Sequence, residues 1–223
     1  LGYLQMNNEI ENGVFFSYDF YDPFWRILEM HNEVAIEHHQ LYDPKEFTSL
    51  DISIENKTQF KNKLTVGFEA ELSPMERSDY FEPRNEGWYV KLPPSYSIGT
   101  FYSPDYNKTF LVEVLPGISW ASDYNQLGWH LRLGPRYKVN NHLFMVLSAV
   151  YSRNFNDLGY VTDSLDNNDL IIIFGKRNIE NITTTLTVNY NINPKFSFSG
   201  RVRYYYFKAD YDQYYDLGKD GSL

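Results

Sequence analysis

The chain has 223 residues, no cysteine and a formal net charge of −9. That length suits one large β domain without requiring two. The missing cysteines exclude structural disulfides and thiolate-based zinc or redox sites. The acidic balance argues against a nucleic-acid surface, which would carry a basic stripe. Aromatic residues make up 18% of the chain, led by 20 tyrosines. The longest apolar run, residues 143–150, is strand-sized and far short of the roughly 20 residues a membrane helix needs. The opening LGYLQMNNEI lacks an initiator Met, a basic leader and an apolar core, so the sequence carries no signal peptide. It begins within patterned sequence and reads as an excerpt of a longer mature protein.

In chain order, residues 14–21 alternate Val14, Phe16, Tyr18 and Phe20 against Ser17 and Asp19, then turn at Asp22-Pro23. Residues 25–39 carry Leu28, Met30, Val34 and Ile36 on one parity, with Glu29, His31, Glu33 and Glu37 on the other; Tyr42-Asp43-Pro44 ends them. Successive side chains of a strand point to opposite faces, so each segment predicts a strand with one greasy and one charged face. Residues 47–56 and 63–72 repeat the pattern, the latter setting Leu64, Val66, Phe68, Ala70 and Leu72 against Lys63, Glu69 and Glu71. Residues 73–94, rich in Pro, Gly and charge, predict a long loop. Strands follow over 96–102 and 109–121. Residues 128–139 separate Trp129, Leu131, Leu133 and Tyr137 from His130, Arg132, Arg136 and Lys138. Asn140-Asn141 turns the chain into the apolar run. Residues 154–168 predict a polar loop. Residues 170–174 resume a strand that runs on through 181–192, and Asn193-Pro194-Lys195 turns it into a last strand over 196–207.

About eleven strands of this kind predict an all-β fold: an antiparallel, up-and-down transmembrane β-barrel, of which residues 1–223 form a single segment. Short turns alternate with longer loops, as in outer-membrane barrels. Charge sits on one parity, and a lipid-facing Arg or Lys at mid-membrane costs about 2–4 kcal/mol. Glu69, Glu71, Glu113, Arg132, Arg136, Arg201 and Arg203 are therefore the candidates for a wet lumen. Trp120, Trp129, Tyr137, Tyr190, Tyr204 and Tyr206 are the candidates for the aromatic belts. A soluble sandwich would show the same alternation with its polar parity in water, and that reading stays open. In lipid the two end strands cannot be left unpaired, so strands outside the segment are expected to close the barrel.

The candidate chemistry is thin. Glu69 with Glu71 has the spacing of an acid/base pair, but a lumen wall balanced by cations on neighbouring strands is the simpler expectation. His38-His39 invites a metal, yet strand neighbours diverge to opposite faces and no further ligand lies nearby. The four arginines suggest an anion-attracting lining; ion pairing with the lumen glutamates is the plainer reading. Three Asn-x-Thr triplets, at Asn56, Asn107 and Asn181, are short enough to occur by chance. No phosphate loop, nucleophile elbow or zinc motif is present. The expectation is a protein that is not an enzyme and needs no cofactor or metal.

Several segments carry a resemblance: Tyr80-Phe81-Glu82-Pro83-Arg84, the run RNFNDLGYV from Arg153, IIFGKR from Ile172, RVRYYY from Arg201, and the closing YYDLGKDGSL. Together they resemble the C-terminal barrel of a Bacteroidota surface family of unknown function, over about the last two thirds of the chain. The resemblance implies a carbohydrate-binding-like sandwich, similar to binding family nine, ahead of the barrel, and further strands after the Asp220-Gly221 motif. It also places the protein in a Gram-negative outer membrane. There the barrel would anchor, and supply a passage for, a glycan-handling surface protein, with lipid, a glycan or other outer-membrane proteins as partners and no nucleic acid. Asp163-Ser164-Leu165 matches that phylum's short O-glycosylation pattern, making Ser164 a candidate acceptor. A soluble all-β carbohydrate-binding module is the alternative.

Overall fold

The computed structural model describes residues 8–166 and 169–223. Ten strands form one antiparallel sheet in chain order. They are β1 (Glu9–Phe20), β2 (Ile27–Leu41), β3 (Phe47–Phe60), β4 (Thr65–Ser73), β7 (Ser95–Ser103), β8 (Phe110–Ala121), β9 (Leu127–Lys138), β10 (Leu143–Asp166), β11 (Asp169–Asn193) and β12 (Phe196–Asp216). Two short strands, β5 (Arg77–Asp79) and β6 (Val90–Leu92), pair separately within the connection from β4 to β7. Each strand of the sheet is hydrogen-bonded to the one before and after it, so every link is a hairpin and no crossover occurs. The fold is all-β and antiparallel. It is not closed: β1 and β12 each keep one edge without a ladder partner among the described residues.

The sequence expectations need three corrections. The long strands number ten, one fewer than about eleven, while 170–174 does run on through 181–192 as the single 25-residue β11. Residues 154–168 are not a loop, for β10 continues to Asp166 against β11. Asn154 and Asp157 read as turn residues by propensity but pair with Ile179 and Arg177, and Tyr160 to Leu165 pair with the apolar run Leu170-Ile171-Ile172-Ile173-Phe174, a ladder that overrides local propensity. The local misfit is absorbed by bulges between Asn154 and Asp157 and between Tyr160 and Thr162. The 73–94 stretch, finally, is a loop only in part, since it holds the β5–β6 hairpin.

Asparagine side chains set two of the tight turns. Asn140 Oδ1 accepts from the backbone N–H of His142 and Leu143 at 2.8 Å each. Asn193 Oδ1 accepts from Lys195 at 2.9 Å and Phe196 at 3.1 Å. Both are Asx-type closures that replace backbone turn bonds.

The one cluster of buried apolar residues among the described residues lies off the sheet's middle. Val90, Ile172, Phe174 and Leu217 are at most 5% exposed, with Trp88, Leu92, Tyr160, Leu170 and Leu223 packed against them. The β5–β6 hairpin thus caps the far end of the β10–β11 hairpin and the segment after β12. Backbone bonds from Lys91 N–H to Gly221 O and from Leu217 N–H to Ile172 O tie the lobe together. The ten-stranded sheet itself has no second layer on either face among the described residues.

Candidate functional site

The ladder register assigns every strand residue to a face. One face is greasy throughout. Between Val14 and Phe20, Met30 and Ile36, Ile52 and Thr58, Val66 and Leu72, and Tyr96 and Tyr102, the facing positions carry no Asp, Glu, Lys or Arg. The same holds from Phe110 to Trp120, Leu127 to Tyr137, Met145 to Tyr151, Ile182 to Tyr190 and Phe198 to Tyr206. Two of the few polar groups there are linked locally: Asn56 Nδ2 donates to Asn32 Oδ1 at 2.7 Å, and Asn32 Nδ2 donates to Tyr18 O at 3.0 Å. On β10–β12 the band ends at one charged row, Arg153–Glu180–Lys208, beyond which the hairpins continue.

The belt candidates all lie on this face, and all are at least 37% exposed. Trp120 and Trp129 sit towards the charged-row end, where Tyr96 stacks on Trp120 and Trp129 packs on Tyr151. Tyr137, edge-on to Phe110, and Tyr190, opposite Phe198, lie towards the other end. Tyr206 pairs with Ile182, whereas Tyr204, opposite Thr184 and two residues from Val202, falls nearer the middle. Phe110 and Trp120 are ten residues apart on β8, about 33 Å along a strand. At the 35–45° tilt usual in barrels this is about 25 Å along the normal.

The other face is polar and concave. A recess of about 560 Å³ touches Glu37 on β2, Asp51 and Ser53 on β3, Ser97 on β7, Gly128 on β9 and Asn154 on β10. On a flat sheet β2 and β10 would stand about 29 Å apart, at ~4.8 Å per step. A hollow about 10 Å across if equant reaches both only because the sheet curls around it. Small residues make the crowding on this side possible. A Cβ at Gly117 would lie 2.2 Å from the His130 ring, and one at Gly67 would lie 2.3 Å from the Phe101 ring. At Gly99 it would meet the Glu69 carboxylate at 2.7 Å. These side chains lie flat over the neighbouring strand's glycine.

All seven lumen candidates share this polar face, but they do not pair with one another. Among the described residues no ion pair within 4.0 Å involves Glu69, Glu71, Glu113, Arg132, Arg136, Arg201 or Arg203. The expectation that the arginines neutralise the glutamates is therefore corrected. For Glu69, Glu71, Arg201 and Arg203 the reason is topological, since they sit on strands that are not neighbours; Glu113 on β8 is next to Arg132 and Arg136 on β9, but its carboxylate accepts from Ser103 and Tyr106 instead. On β1–β4 the polar face carries Glu9, Glu11, Asp19, Glu29, Glu33, Glu37, Asp51, Glu55, Glu69 and Glu71 against Lys57 alone. On β7 that face holds only Ser95, Ser97, Gly99, Phe101 and Ser103. On β8–β12 it carries Glu113 against Arg132, Arg136, Lys138, Arg201 and Arg203. From β4 to β9 is three steps, about 14 Å along the sheet.

Within the acidic sector Glu33, Glu55 and Glu69 stand directly opposite one another on three successive strands. Like charges so placed destabilise a sheet. Charge sign tallied strand by strand would have exposed the acidic sector, though not this row, which depends on the register. In the basic sector the Arg136 guanidinium lies 4.5 Å from the Tyr106 ring centre and 5.6 Å from that of Phe144. Glu113 accepts from Ser103 Oγ at 3.1 Å and from the Tyr106 hydroxyl. The two histidines diverge: His38 packs on Phe47, while His39 Nδ1 lies 3.1 Å from Glu9 on the polar side. No group of three metal-ligating side chains is assembled among the described residues. Ser164 is exposed near the tip of the β10–β11 hairpin, opposite Ile171.

The β5–β6 lobe bridges one end of the recess. Tyr80 donates to Glu46 Oε2 at 2.7 Å, on the connection between β2 and β3. On the opposite side Glu82 Oε1 accepts from Tyr160 N–H at 3.0 Å, and Arg84 stacks on the Tyr160 ring at 4.5 Å. Burial, and then the bond to the Glu46 carboxylate, push the Tyr80 phenol above its ordinary range.

The model of one protein family, a domain of unknown function (DUF5916), matches residues 1–223. The chain belongs to the DUF5916 family. No curated protein and no solved structure matches it. A DUF5916 domain in this chain is thus an open sheet with one greasy face, one polar face of segregated charge, and a capping lobe.

Proposed function

We propose that these ten strands are wall strands of an outer-membrane β-barrel, with the greasy face in lipid and the polar face lining a wet interior. The single observation behind this is the uncovered apolar face. About twenty of its large side chains are exposed, from Val14 at 74% to Trp129 at 37%. At ~2 kcal/mol for each fully buried side chain, covering such half-exposed groups is worth on the order of 20 kcal/mol. A folded domain's entire net stability is typically about 5–15 kcal/mol. Water is thus the wrong neighbour for this face. An apolar band about 25 Å tall with aromatic residues toward both ends suits a bilayer. No helix among the described residues is long and apolar enough to cross a membrane, and crossing by strands is the other route open to a polypeptide.

Lipid cannot satisfy the free edges of β1 and β12, so strands beyond these ten complete the closure. The barrel anchors a surface protein and provides a wet passage through the membrane. Glycan handling rests on the family resemblance of the loops and on the exposed Tyr211 and Tyr214 rings. These lie parallel within 8° at 5.8 Å and offer a flat π-face for a sugar ring. Cell fractionation tests the membrane reading. The native protein should sediment with outer membranes, resist alkaline extraction and need detergent to stay monodisperse. Recovery as a monodisperse species from a detergent-free lysate would favour the carbohydrate-binding module, and retention on polysaccharide would then be the next assay.

A further inference from the structure

The hydrogen-bonding groups that line the recess are mostly unspent. Two neighbouring rows of the ladder cross it. The first runs Ser53, Glu71, Ser97, Ser119, Gly128 and Asn154 over six strands. Among the described residues none of its side chains hydrogen-bonds to another protein group. Gly128 is the low point of this ledge. A Cβ there would lie 2.5 Å from Ser119 Oγ and 2.7 Å from Asn154 Oδ1, so hydroxyl and amide converge over bare backbone. The second row runs from Glu37 and Asp51 to Ser73 and Ser95, with Ser73 donating to Asp51. From the lobe, Arg77 reaches the same recess, and its Nε is buried without a partner. Buried polar groups are almost always answered, so a donor left open at a cavity calls for something that enters the cavity.

The balance of charge narrows what can enter. Arg77 is the one cation in the lining. Asp157 is already paired with Arg177 at 2.8 Å, whereas Glu37 and Glu71 have no cationic partner within 4.0 Å among the described residues. The recess is therefore acidic on balance and repels anions. Ionised carboxylates only accept hydrogen bonds, while serine hydroxyls and the Asn154 amide both give and accept. A solute rich in hydroxyls matches that set, and an ammonium on it matches the carboxylates as well. The volume of about 560 Å³ falls within the ~300–1,000 Å³ of small-molecule sites.

We propose that the recess binds a short oligosaccharide, with amino sugars held best, neutral sugars less and uronates least. This rests on the glycan-handling reading above and names its sugar class and its place. Neither row carries an aromatic ring to stack on, so the hold is weak, on the order of millimolar. Loose binding suits a solute that must leave a passage as readily as it enters.

Saturation-transfer NMR on the full-length protein tests this with trimers of glucosamine, glucose and galacturonate. Mildly acidic buffer keeps the amines protonated and the carboxylates ionised. The glucosamine trimer should bind more than about tenfold tighter than the galacturonate trimer at low salt. That gap should shrink at ~1 M salt, where the screening length is about 3 Å. Glu37→Gln with Glu71→Gln should bring glucosamine down to the level of glucose. Ser97→Leu, which fills the ledge, should weaken the glucosamine and glucose trimers about fivefold or more; Ser53→Leu serves if that variant fails to fold. Tyr211→Ala with Tyr214→Ala should leave these affinities within about twofold. The proposal is overturned by no saturable binding of the glucosamine and glucose trimers, by galacturonate binding tightest, by an unchanged preference in the glutamine variant, or by native affinity in the leucine variants. Loss of binding in the tyrosine variant would assign the glycan to those rings, overturning the recess while glycan handling survives. Sedimentation of the same protein is read separately: a soluble protein whose recess binds keeps this inference and loses the membrane reading.

Discussion

At Gly117 and Ile118 adjacent residues of one strand meet opposite demands, and each gives a prediction. Gly117 lies under the His130 ring, with 2.2 Å left for a Cβ. Gly117→Ala should therefore destabilise the protein by about 1–3 kcal/mol, the usual range for overpacking. His130→Ala in the same chain should recover most of that loss, as a double-mutant cycle in urea would register. Ile118 points the other way, among Trp129 and Ile98 on the greasy face. Ile118→Arg should cost about 2–4 kcal/mol in lipid vesicles if it faces mid-membrane. Ser97→Arg, on the polar face, should cost much less by the same unfolding titration. Equal costs would mean that both faces meet water. The alternation that separates these two faces is visible in sequence, since it needs only a period of two. The partner across the ladder is not, because Glu33 and Glu69 lie 36 positions apart and meet only through β3.

At the scale of elements, the lobe and the sheet are held by different forces. The lobe has a conventional core, and Phe174 is 1% exposed at its centre. Phe174→Ala should remove about 3–5 kcal/mol of local stability. Limited proteolysis within 76–92 should accelerate while the sheet's protection persists. Tyr80 makes the lobe's hold on Glu46 sensitive to alkali. Its phenol is raised from the ordinary value of 10.0, first by burial and then by the Glu46 bond. A group raised on folding contributes stability that is full below its unfolded value and is lost as pH climbs through the folded one. Hydrogen exchange of residues 77–92 should thus quicken above about pH 10, the free phenol's range, and Tyr80→Phe should remove that dependence. The sequence concealed this lobe. Proline, glycine and charge in 73–94 correctly signalled broken structure, but Val90 and Leu92 earn their burial only from Ile172 and Phe174, some 80 residues on. Pairing within the β10–β11 hairpin likewise turned the polar stretch 154–166 into strand.

At the scale of the whole molecule, the fold class was legible because every strand repeats one two-sided pattern, and the hairpin order follows from short connections. Closure was not, since it depends on what meets the edges of β1 and β12. The net charge of −9 likewise hid its own distribution: the acids concentrate on β1–β4, and the cations of the polar face on β9 and β12. A variant that keeps Trp120 as its only tryptophan, with Trp25, Trp88, Trp129 and any tryptophan outside residues 1–223 replaced by phenylalanine, gives the most direct measurement of what the greasy face touches. The full-length protein is reconstituted in vesicles whose acyl chains carry bromine, and Trp120 emission is compared with that in unbrominated lipid. Contact with lipid predicts strong quenching by the brominated chains and little by aqueous iodide. Emission that ignores bromine and is quenched by iodide, or that ignores both as in a dry protein core, would contradict it.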